Sequence, residues 1–314
     1  MRLTTAVLAL ALSVGAQAQT FPSKTVRFIS GVTPGAASDT MARILAEKMT
    51  QTLGHPVIVE NRLGAGGLVG AKFVADAEPD GHTIMMYASA FTVSTLLSPG
   101  VLNPKDMQAV ATVATIPTVM VTPPGKYKTV KDFVAAAKAE PGKLVCTDAG
   151  VGSATHMAFE RFRFAGGFEV LNVHTKGPSE ALTEVISGRA DCYFALVFQA
   201  QKMRDAGKVG ALVVSSPKRT SLMPDLPTTE EAGYANSAYN FWVGALVSSR
   251  TPRPIVERVH KEITTLVQTP EITDQIKKLG ADPLTMSIAE FEAMIARELV
   301  ENAELIKKAG IKPN

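Results

Sequence analysis

The sequence has few of the features that mark several large classes of protein. Its formal net charge is only +3, and it contains one tryptophan and five tyrosines. A nucleic-acid-binding chain needs a concentrated basic surface, and a single-strand binder needs aromatic rings on which bases stack. After residue 18 no apolar run is long enough to span a bilayer. We therefore expect neither a nucleic-acid partner nor a membrane surface as a partner.

Motifs for catalysis and cofactor binding are also missing. The chain has no GxxxxGK[ST] loop, and the glycines from Gly64 to Gly70 match the dinucleotide fingerprint only weakly. Neither cysteine lies in a CxxC motif, and no HExxH or H-x-H cluster occurs among the five histidines, which are His55, His82, His156, His174 and His260. We expect no cofactor, no metal site and no enzymatic activity.

The chain has only two cysteines, Cys146 and Cys192, and each lies in a strand-like segment. An oxidising compartment permits a disulfide between them. Neighbouring parallel strands, however, rarely offer good disulfide geometry. A disulfide and a pair of buried thiols both remain open.

The first 18 residues have the pattern of a secretory signal peptide. Arg2 gives a minimal positive region, an apolar run follows, and residues 16–18 (AQA) match an A-x-A cleavage site. We expect cleavage after Ala18, export to the periplasm and a mature chain beginning at Gln19. With no cysteine near that site, a lipid anchor is not expected.

Strand-like and helix-like segments alternate along the mature chain, which predicts an α/β fold of mostly parallel sheets flanked by helices. Proline- and glycine-rich stretches at residues 122–125 and 248–252 are candidate crossings between two lobes. We assign residues 19–122 and 247–314 to the first lobe and residues 123–246 to the second. A cleft between two such lobes is a favoured place for a ligand.

Four turns rich in small residues join a strand to a helix, at residues 31–39, 63–67, 150–156 and 174–178. The amide groups and positive dipole of an open helix N-terminus suit a carboxylate or a phosphate. In the first turn we expect Ser38 to cap the helix. In the third turn Ser153 is a helix cap or, alternatively, the nucleophile of an exported hydrolase, although the G-x-S-x-G elbow is absent.

An ordered series of short motifs makes the chain similar to a known family. The matching segments are 21–24 (FPSK), 34–35 (PG) with Asp39, 57–62 (VIVENR), 64–67 (GAGG), 79–81 (PDG), 141–144 (PGKL), 152–153 (GS) with His156, 176–177 (KG), 224–228 (PDLPT) and 309–311 (AGI). The sequence resembles the substrate-binding receptors of tripartite tricarboxylate transporters, the Bug family of periplasmic solute-binding proteins. The resemblance implies a two-lobed receptor that closes on one small carboxylate-bearing solute.

The resemblance also implies a set of ligand-binding residues. The turns at 33–39 and 175–180 would grip a carboxylate, and Asp191 would organise the pocket. The full set of candidates is Thr33, Pro34, Gly35, Ala36, Ser38, Asp39, Gly66, Ser89, Phe91, Gly150, Ser153, Thr155, His174, Thr175, Lys176, Gly177 and Asp191. The chain departs from the family pattern at Ala36, at 174–175 (HT, where Pro-Tyr is usual) and at Glu180.

We therefore expect a monomeric receptor that captures a small organic anion and delivers it to the membrane permease subunits of a tripartite transporter. Two other hypotheses remain open. One is the exported α/β hydrolase that uses Ser153. The other is a receptor of the same kind that signals to a membrane sensor instead of serving transport.

Overall fold

The computed structural model describes residues 21–312, which form two β-sheets flanked by helices. The signal peptide and its cleavage site lie outside the described residues. The strands are β1 (Val26–Ser30), β2 (Val57–Asn61), β3 (Thr83–Ala88), β4 (Met107–Thr115), β5 (Thr118–Thr122), β6 (Val145–Asp148), β7 (Leu171–His174), β8 (Cys192–Leu196), β9 (Gly210–Ser215), β10 (Trp242–Ser248) and β11 (Asp282–Pro283).

The helices follow the strands in alternation, as the sequence pattern predicts. They are α1 (Ala37–Leu53), α2 (Leu68–Asp76), α3 (Ala90–Leu97), α4 (Val130–Ala139), α5 (Ala154–Gly166), α6 (Pro178–Ile186), α7 (Val197–Asp205), α8 (Arg253–Val267), α9 (Pro270–Lys278) and α10 (Ile288–Ala309), with short 3-10 turns at Ala65–Gly67 and Pro104–Asp106. None of the helices within residues 21–312 combines the length and apolar character that a membrane crossing requires.

The first sheet has the strand order β11-β4-β10-β3-β1-β2. Strand β1 pairs in parallel with β2 and β3, whereas β10 runs antiparallel to both β3 and β4. The second sheet has the order β7-β6-β8-β5-β9, in which β6 is parallel to β7 and β8 and β5 is antiparallel to β8 and β9. Both sheets are therefore mixed, where the alternating sequence pattern predicts mostly parallel ones.

The two crossings between the sheets come one strand earlier than the sequence predicts. Strand β5 follows β4 after two residues and already belongs to the second sheet, so the first crossing is at residues 116–117. Strand β10 already belongs to the first sheet, so the return precedes Trp242. The Pro-Pro-Gly stretch after Thr122 is a turn within the second sheet. The first crossing is instead the two-residue link at 116–117 (IP) between β4 and β5.

Side-chain caps define several helix starts. Thr129 with Asp132 forms a capping box at α4, Ser287 with Glu290 forms one at α10, and Ser153 caps α5, as the sequence predicts. The prediction that Ser38 caps α1 is wrong, because the N-cap position is Ala36 and no side chain bonds to it. Ser38 lies instead inside the first turn of the helix.

Helix α10 joins the two halves of the molecule. Its first turns pack Ile288 and Phe291 against the core of the first sheet, while Leu305 near its end packs into the core of the second. Between these contacts the Glu298 carboxylate is buried and accepts hydrogen bonds from Trp242 Nε1 at 3.0 and 3.1 Å. Burial raises the pKa of Glu298 to about 7, although Trp242 lowers it in part.

Cys146 and Cys192 are directly opposite each other on β6 and β8, and they form a disulfide. Their Cα atoms are 4.6 Å apart, so the parallel register brings the two thiols together. This answers the question that the sequence left open. The bond closes a loop with a sequence separation of 46 residues and ties two central strands of the second sheet.

We expect loss of the Cys146–Cys192 disulfide to destabilise the protein by about 2–4 kcal/mol, because an unfolded chain without the cross-link gains conformational freedom. The doubly substituted C146A/C192A variant should melt about 3–7 °C lower, given an unfolding entropy of roughly 2.1 cal/mol/K per residue. Differential scanning calorimetry with and without a reductant measures the effect. The reductant should lower the melting temperature of the parent protein and leave the variant unchanged; equal melting temperatures for both proteins would contradict the expectation.

Candidate functional site

The predicted turns meet at one edge of each sheet and touch one another through glycines. A Cβ atom on Gly31 would lie 2.6 Å from the Cα of Gly67, and one on Gly66 would lie 2.5 Å from Ser94 Oγ. A Cβ on Gly152, in the second sheet's turn, would come within 2.9 Å of Leu97 in α3. Only residues without a side chain allow these approaches. The small residues thus bring the turns of the two sheets into contact.

The first turn, at residues 31–39, is organised by the buried carboxylate of Asp39. Arg43 Nε donates to Asp39 Oδ2 at 2.9 Å and Arg43 Nη2 to Oδ1 at 3.1 Å, while the Gly35 N–H and Asn61 Nδ2 also donate to this carboxylate. Burial alone would raise the pKa of Asp39, but these donors outweigh it and the pKa is lowered. Asp39 is therefore a charged, internally satisfied group that fixes the shape of the turn.

The first N–H groups of α1 do not bond to the Asp39 carboxylate and can donate to a ligand. The N–H of Ala36 bonds to the Thr33 carbonyl and that of Gly35 to Asp39, but the N–H groups of Ala37, Ser38 and Asp39 have no acceptor among the described residues. An α-helix begins with such unpaired donors, and they carry the positive end of its dipole. Three adjacent donors therefore suit a carboxylate oxygen pair.

The turn at residues 174–180 has a similar design. Gly177 is the N-cap of α6 and supplies no side chain to its first amides, so the N–H groups of Ser179 and Glu180 lack an acceptor within residues 21–312. Thr175 braces the turn by donating from both its N–H and Oγ1 to the Asp148 carbonyl. The Glu180 carboxylate accepts from the Lys176 N–H, and the Lys176 side chain is exposed. This turn can therefore present two backbone N–H groups and the Lys176 ammonium group to an anion.

The turn at residues 150–153 is largely satisfied by its own contacts. Ser153 Oγ accepts from the His156 N–H and bonds to Thr155 Oγ1, which accepts from the Ala149 N–H. His156 Nδ1 accepts a hydrogen bond from the Gly152 N–H, so this nitrogen does not activate Ser153. Ser153 is therefore the cap of α5, and the position of His156 argues against Ser153 as a hydrolase nucleophile.

A cavity of about 230 Å³ lies between the two sheets' turns. It includes Gly66 of the predicted set, but most of its wall was not predicted. The remaining lining residues are Ala65, Val93, Ser94, Leu97, Ser98, Val151 and Gly152. The i, i+4 pairs Val93–Leu97 and Ser94–Ser98 place one apolar and one polar stripe on α3, a signal that could have indicated this wall.

Three predicted site residues, Asp191, Ser89 and Phe91, lie outside the four turns. Asp191 precedes β8, at the amino ends of the parallel strands β6 and β8, where it bonds to Lys126 and to the Val145 N–H. The turns of the site follow the carboxyl ends of those strands. Asp191 therefore lies at the opposite edge of the sheet from the site. Ser89 is buried and bonded to Tyr239, and Phe91 is a core residue packed edge-on against Tyr87. Their side chains do not line the cavity.

The structure also brings together groups that are distant in sequence. Asp148 ends β6 opposite His174 of β7, and His174 Nδ1 lies 2.8 Å from Asp148 Oδ2. The rings of His156 and His174 pack edge to face with centroids 4.8 Å apart. Burial lowers the pKa of His156, opposed in part by Asp148 and Glu160. The histidine spacing in the sequence gives no sign of this cluster, since strand pairing brings Asp148 to His174 and the first turn of α5 adds His156.

Two sheets joined by two crossings, with facing turns and a cavity between them, define a two-lobed solute-binding receptor. The family model for the tripartite tricarboxylate transporter family receptor matches residues 41–311. The chain belongs to this family, whose members are periplasmic solute-binding receptors and not enzymes. The exported-hydrolase hypothesis is therefore set aside.

Individual relatives agree with this assignment. The UPF0065 protein in the tcbD-tcbE intergenic region of Pseudomonas sp. (strain P51) is 33% identical over 264 residues, which cover 83% of this chain and 79% of that protein. The structure of the periplasmic binding protein BugD is 29% identical, with a TM-score of 0.73 over 94% of this chain and 100% of BugD. MatC (Rpa3494) from Rhodopseudomonas palustris, solved with bound malate, is 25% identical, with a TM-score of 0.73 over 91% and 100% of the two chains.

We expect Asp39→Asn to destabilise the protein by about 2 kcal/mol at neutral pH. Breaking a buried ion pair costs more than this, but Arg43 is half exposed and water compensates part of the loss. The pKa of Asp39 is lowered from its ordinary value of 3.8, so its contribution is complete above that value and is lost as the pH falls through the folded-state pKa.

Urea unfolding of the parent protein and the D39N variant, at neutral pH and at about pH 3, measures this effect. The gap between the two proteins should narrow in acid. Glu47→Gln, an exposed carboxylate on the same helix, is the matched control and should leave stability unchanged. A gap for D39N that stays constant with pH would contradict the assignment.

Proposed function

We propose that this receptor captures a small organic anion bearing one or two carboxylates between its two lobes, and delivers it to the membrane permease subunits of a tripartite transporter. One observation carries the proposal. Helices α1 and α6 both begin without a side-chain cap, and their first-turn amides have no acceptor among the described residues. Export with cleavage after Ala18 and action as a monomer belong to the same proposal.

The chemistry of the open helix starts favours a carboxylate over a neutral solute. Each start combines adjacent N–H donors with the positive end of a helix dipole, which together stabilise an anion. At the first turn the negative charge of Asp39 is neutralised by Arg43. At the second turn Lys176 adds a cation that has no ion-pair partner within residues 21–312. Both ends of a dicarboxylate could be held in this way.

The relatives support the same ligand class. MatC binds malate, a dicarboxylate, in a structure that aligns with 91% of this chain. In this chain the second turn carries His174 and the Glu180 carboxylate, which bonds to the Lys176 N–H. A carboxylate fixed beside the site disfavours a ligand with excess negative charge there. We therefore propose a ligand with one or two carboxylates.

A thermal-shift panel of mono-, di- and tricarboxylates, with sugars and amino acids as comparison, tests the ligand class. A ligand present at 100 times its dissociation constant adds about 2.7 kcal/mol to stability. For a chain of this size we expect a rise in melting temperature of about 4 °C, from an unfolding entropy of roughly 2.1 cal/mol/K per residue. Shifts with neutral sugars and none with carboxylates would overturn the proposal.

The variant Ala37→Pro tests whether the α1 amides bind the anion. Proline fits the first position of a helix and removes only the N–H at that position. Losing one charge-assisted hydrogen bond costs about 1.5–3 kcal/mol, so the affinity for the acid found in the panel should fall at least ~10-fold. Isothermal titration calorimetry measures the loss. Ala37→Ser keeps the N–H and is the matched control; equal affinities for the two variants would show that this amide does not bind the ligand.

A further inference from the structure

Among the buried acidic groups of residues 21–312, only Asp148 and Glu298 have no ion pair with Arg or Lys, and Glu298 bonds instead to Trp242 and Thr92. Asp39 is paired with Arg43, Glu160 with Arg163 and Asp191 with Lys126. Asp148 is fully buried, yet within the part of the chain that the structure describes it contacts no Arg or Lys. Its neighbours are two histidines, the amide of Asn172 and the Gly150 N–H. A buried charge is normally neutralised by a paired cation or by a metal ion.

The two histidines converge on the same oxygen of Asp148. His174 Nδ1 lies 2.8 Å and His156 Nε2 lies 4.0 Å from Asp148 Oδ2. One ligand atom from each of the three residues fits within a span of 4.8 Å. In a tetrahedral zinc site with bonds of about 2.1 Å, neighbouring ligand atoms are about 3.4 Å apart. The two distances to Asp148 lie on either side of that value, and closing the 4.8 Å span requires side-chain movements of up to about 1.4 Å.

From this arrangement we propose that Asp148, His156 and His174 form a binding site for one divalent transition-metal ion, with Zn²⁺ as the preferred ion. Two imidazoles and a carboxylate are a donor set that suits zinc better than Ca²⁺ or Mg²⁺, which take oxygen ligands. His174 is 41% exposed and borders a cavity of about 280 Å³, which gives the ion a path and leaves room for water as the fourth ligand. Nothing in this site overlaps the free amides of α1 or α6.

The surrounding charges are compatible with a cation. The cavity beside the two histidines is also bordered by Glu160, Glu169, Arg163 and Lys312. Arg163 forms ion pairs with both glutamates, at 2.8 and 2.9 Å, so its charge is already compensated. With the Asp148 carboxylate included, three negative groups face two positive ones. A bound dication makes the local charge positive by one unit and neutralises Asp148 directly.

Metal binding requires a change of tautomer in each histidine. His156 Nδ1 accepts from the Gly152 N–H, so its proton is on Nε2, and His174 donates from Nδ1 to Asp148. When Nε2 of His156 and Nδ1 of His174 bind the ion, each ring proton moves through water to the other ring nitrogen, and both rings stay neutral. The Gly152 N–H then loses its acceptor, so metal binding costs this hydrogen bond and requires the two N–H groups to move apart.

The ion would tie together three elements behind the site, the end of β6, the first turn of α5 and the end of β7. Thr175, which follows His174, already bonds to the main chain of Asp148. A metal at this point therefore braces the turn at residues 174–180 without occupying it. This inference stands on the Asp148 cluster alone and does not depend on the identity of the organic ligand.

Calorimetric titration of the untagged, chelator-treated mature protein with ZnCl₂ tests the site. We expect one Zn²⁺ per chain, and with Co²⁺ in place of Zn²⁺ the visible absorption bands of a four-coordinate ion with nitrogen ligands. His174→Gln removes a ligand at a half-exposed position where folding should be unaffected. Its affinity for Zn²⁺ should fall at least ~10-fold, because losing even a residue that only hydrogen-bonds to a metal ligand lowers metal affinity by about 10-fold or more.

His55→Ala, which removes a histidine remote from the cluster in sequence, is the matched control and should bind Zn²⁺ as tightly as the parent protein. Circular dichroism confirms that each variant is folded. Absence of Zn²⁺ binding by the parent protein would overturn the proposal and leave a hydrogen-bonded Asp–His pair. An equal loss in the His55 and His174 variants, or binding without the four-coordinate Co²⁺ spectrum, would also overturn it by indicating adventitious surface binding.

Discussion

Parallel strand pairing is the constraint on which the rest of this structure depends. Because β1 is parallel to β2 and β6 is parallel to β7, the turns that follow these strands must leave the sheets at one edge. The two turns with open helix starts, the glycine contacts and the Asp148 cluster all lie at those edges. The same constraint excludes Asp191, which precedes its strand and therefore lies at the other edge. Position along a strand decides which residues share the site.

Some charged groups in the two lobes hold the backbone in place, and others are suited to bind a ligand. Asp39 and Asp191 are each neutralised by a basic side chain and hold a turn or a strand end in place. The amides beside Asp39 have no acceptor among the described residues, so the turn has a fixed shape and a positive potential at the same time. Within residues 21–312 Asp148 has no such basic partner, and two imidazoles take its place. This difference between Asp148 and the two ion-paired aspartates separates a candidate metal site from structural ion pairs.

Local sequence signals predicted the elements well and their assembly less well. Strands such as Val26–Ser30 and Thr83–Ala88 and the caps at Thr129 and Ser287 were identified because their signals are contained in a few residues. The sequence places both crossings one strand late, because sheet membership depends on partners far away in the chain. The His156–His174 contact has no sequence signal either, because the two rings are 18 positions apart and meet from α5 and β7.

Helix α10 and its hydrogen bonds connect the two lobes and limit how the lobes can move. Glu298 of α10 bonds to Trp242 of the first sheet, and Asn302, one turn later, accepts a hydrogen bond from Arg161 of α5 in the second lobe. This network and the apolar ends of α10 span both cores, while at the turns α3 of the first lobe meets Gly152 through Val93 and Leu97. Opening the molecule at α10 would expose the buried Glu298 carboxylate and parts of both cores. The architecture therefore favours a hinge at α10 and a cleft at the turns, which is where the unpaired amides lie.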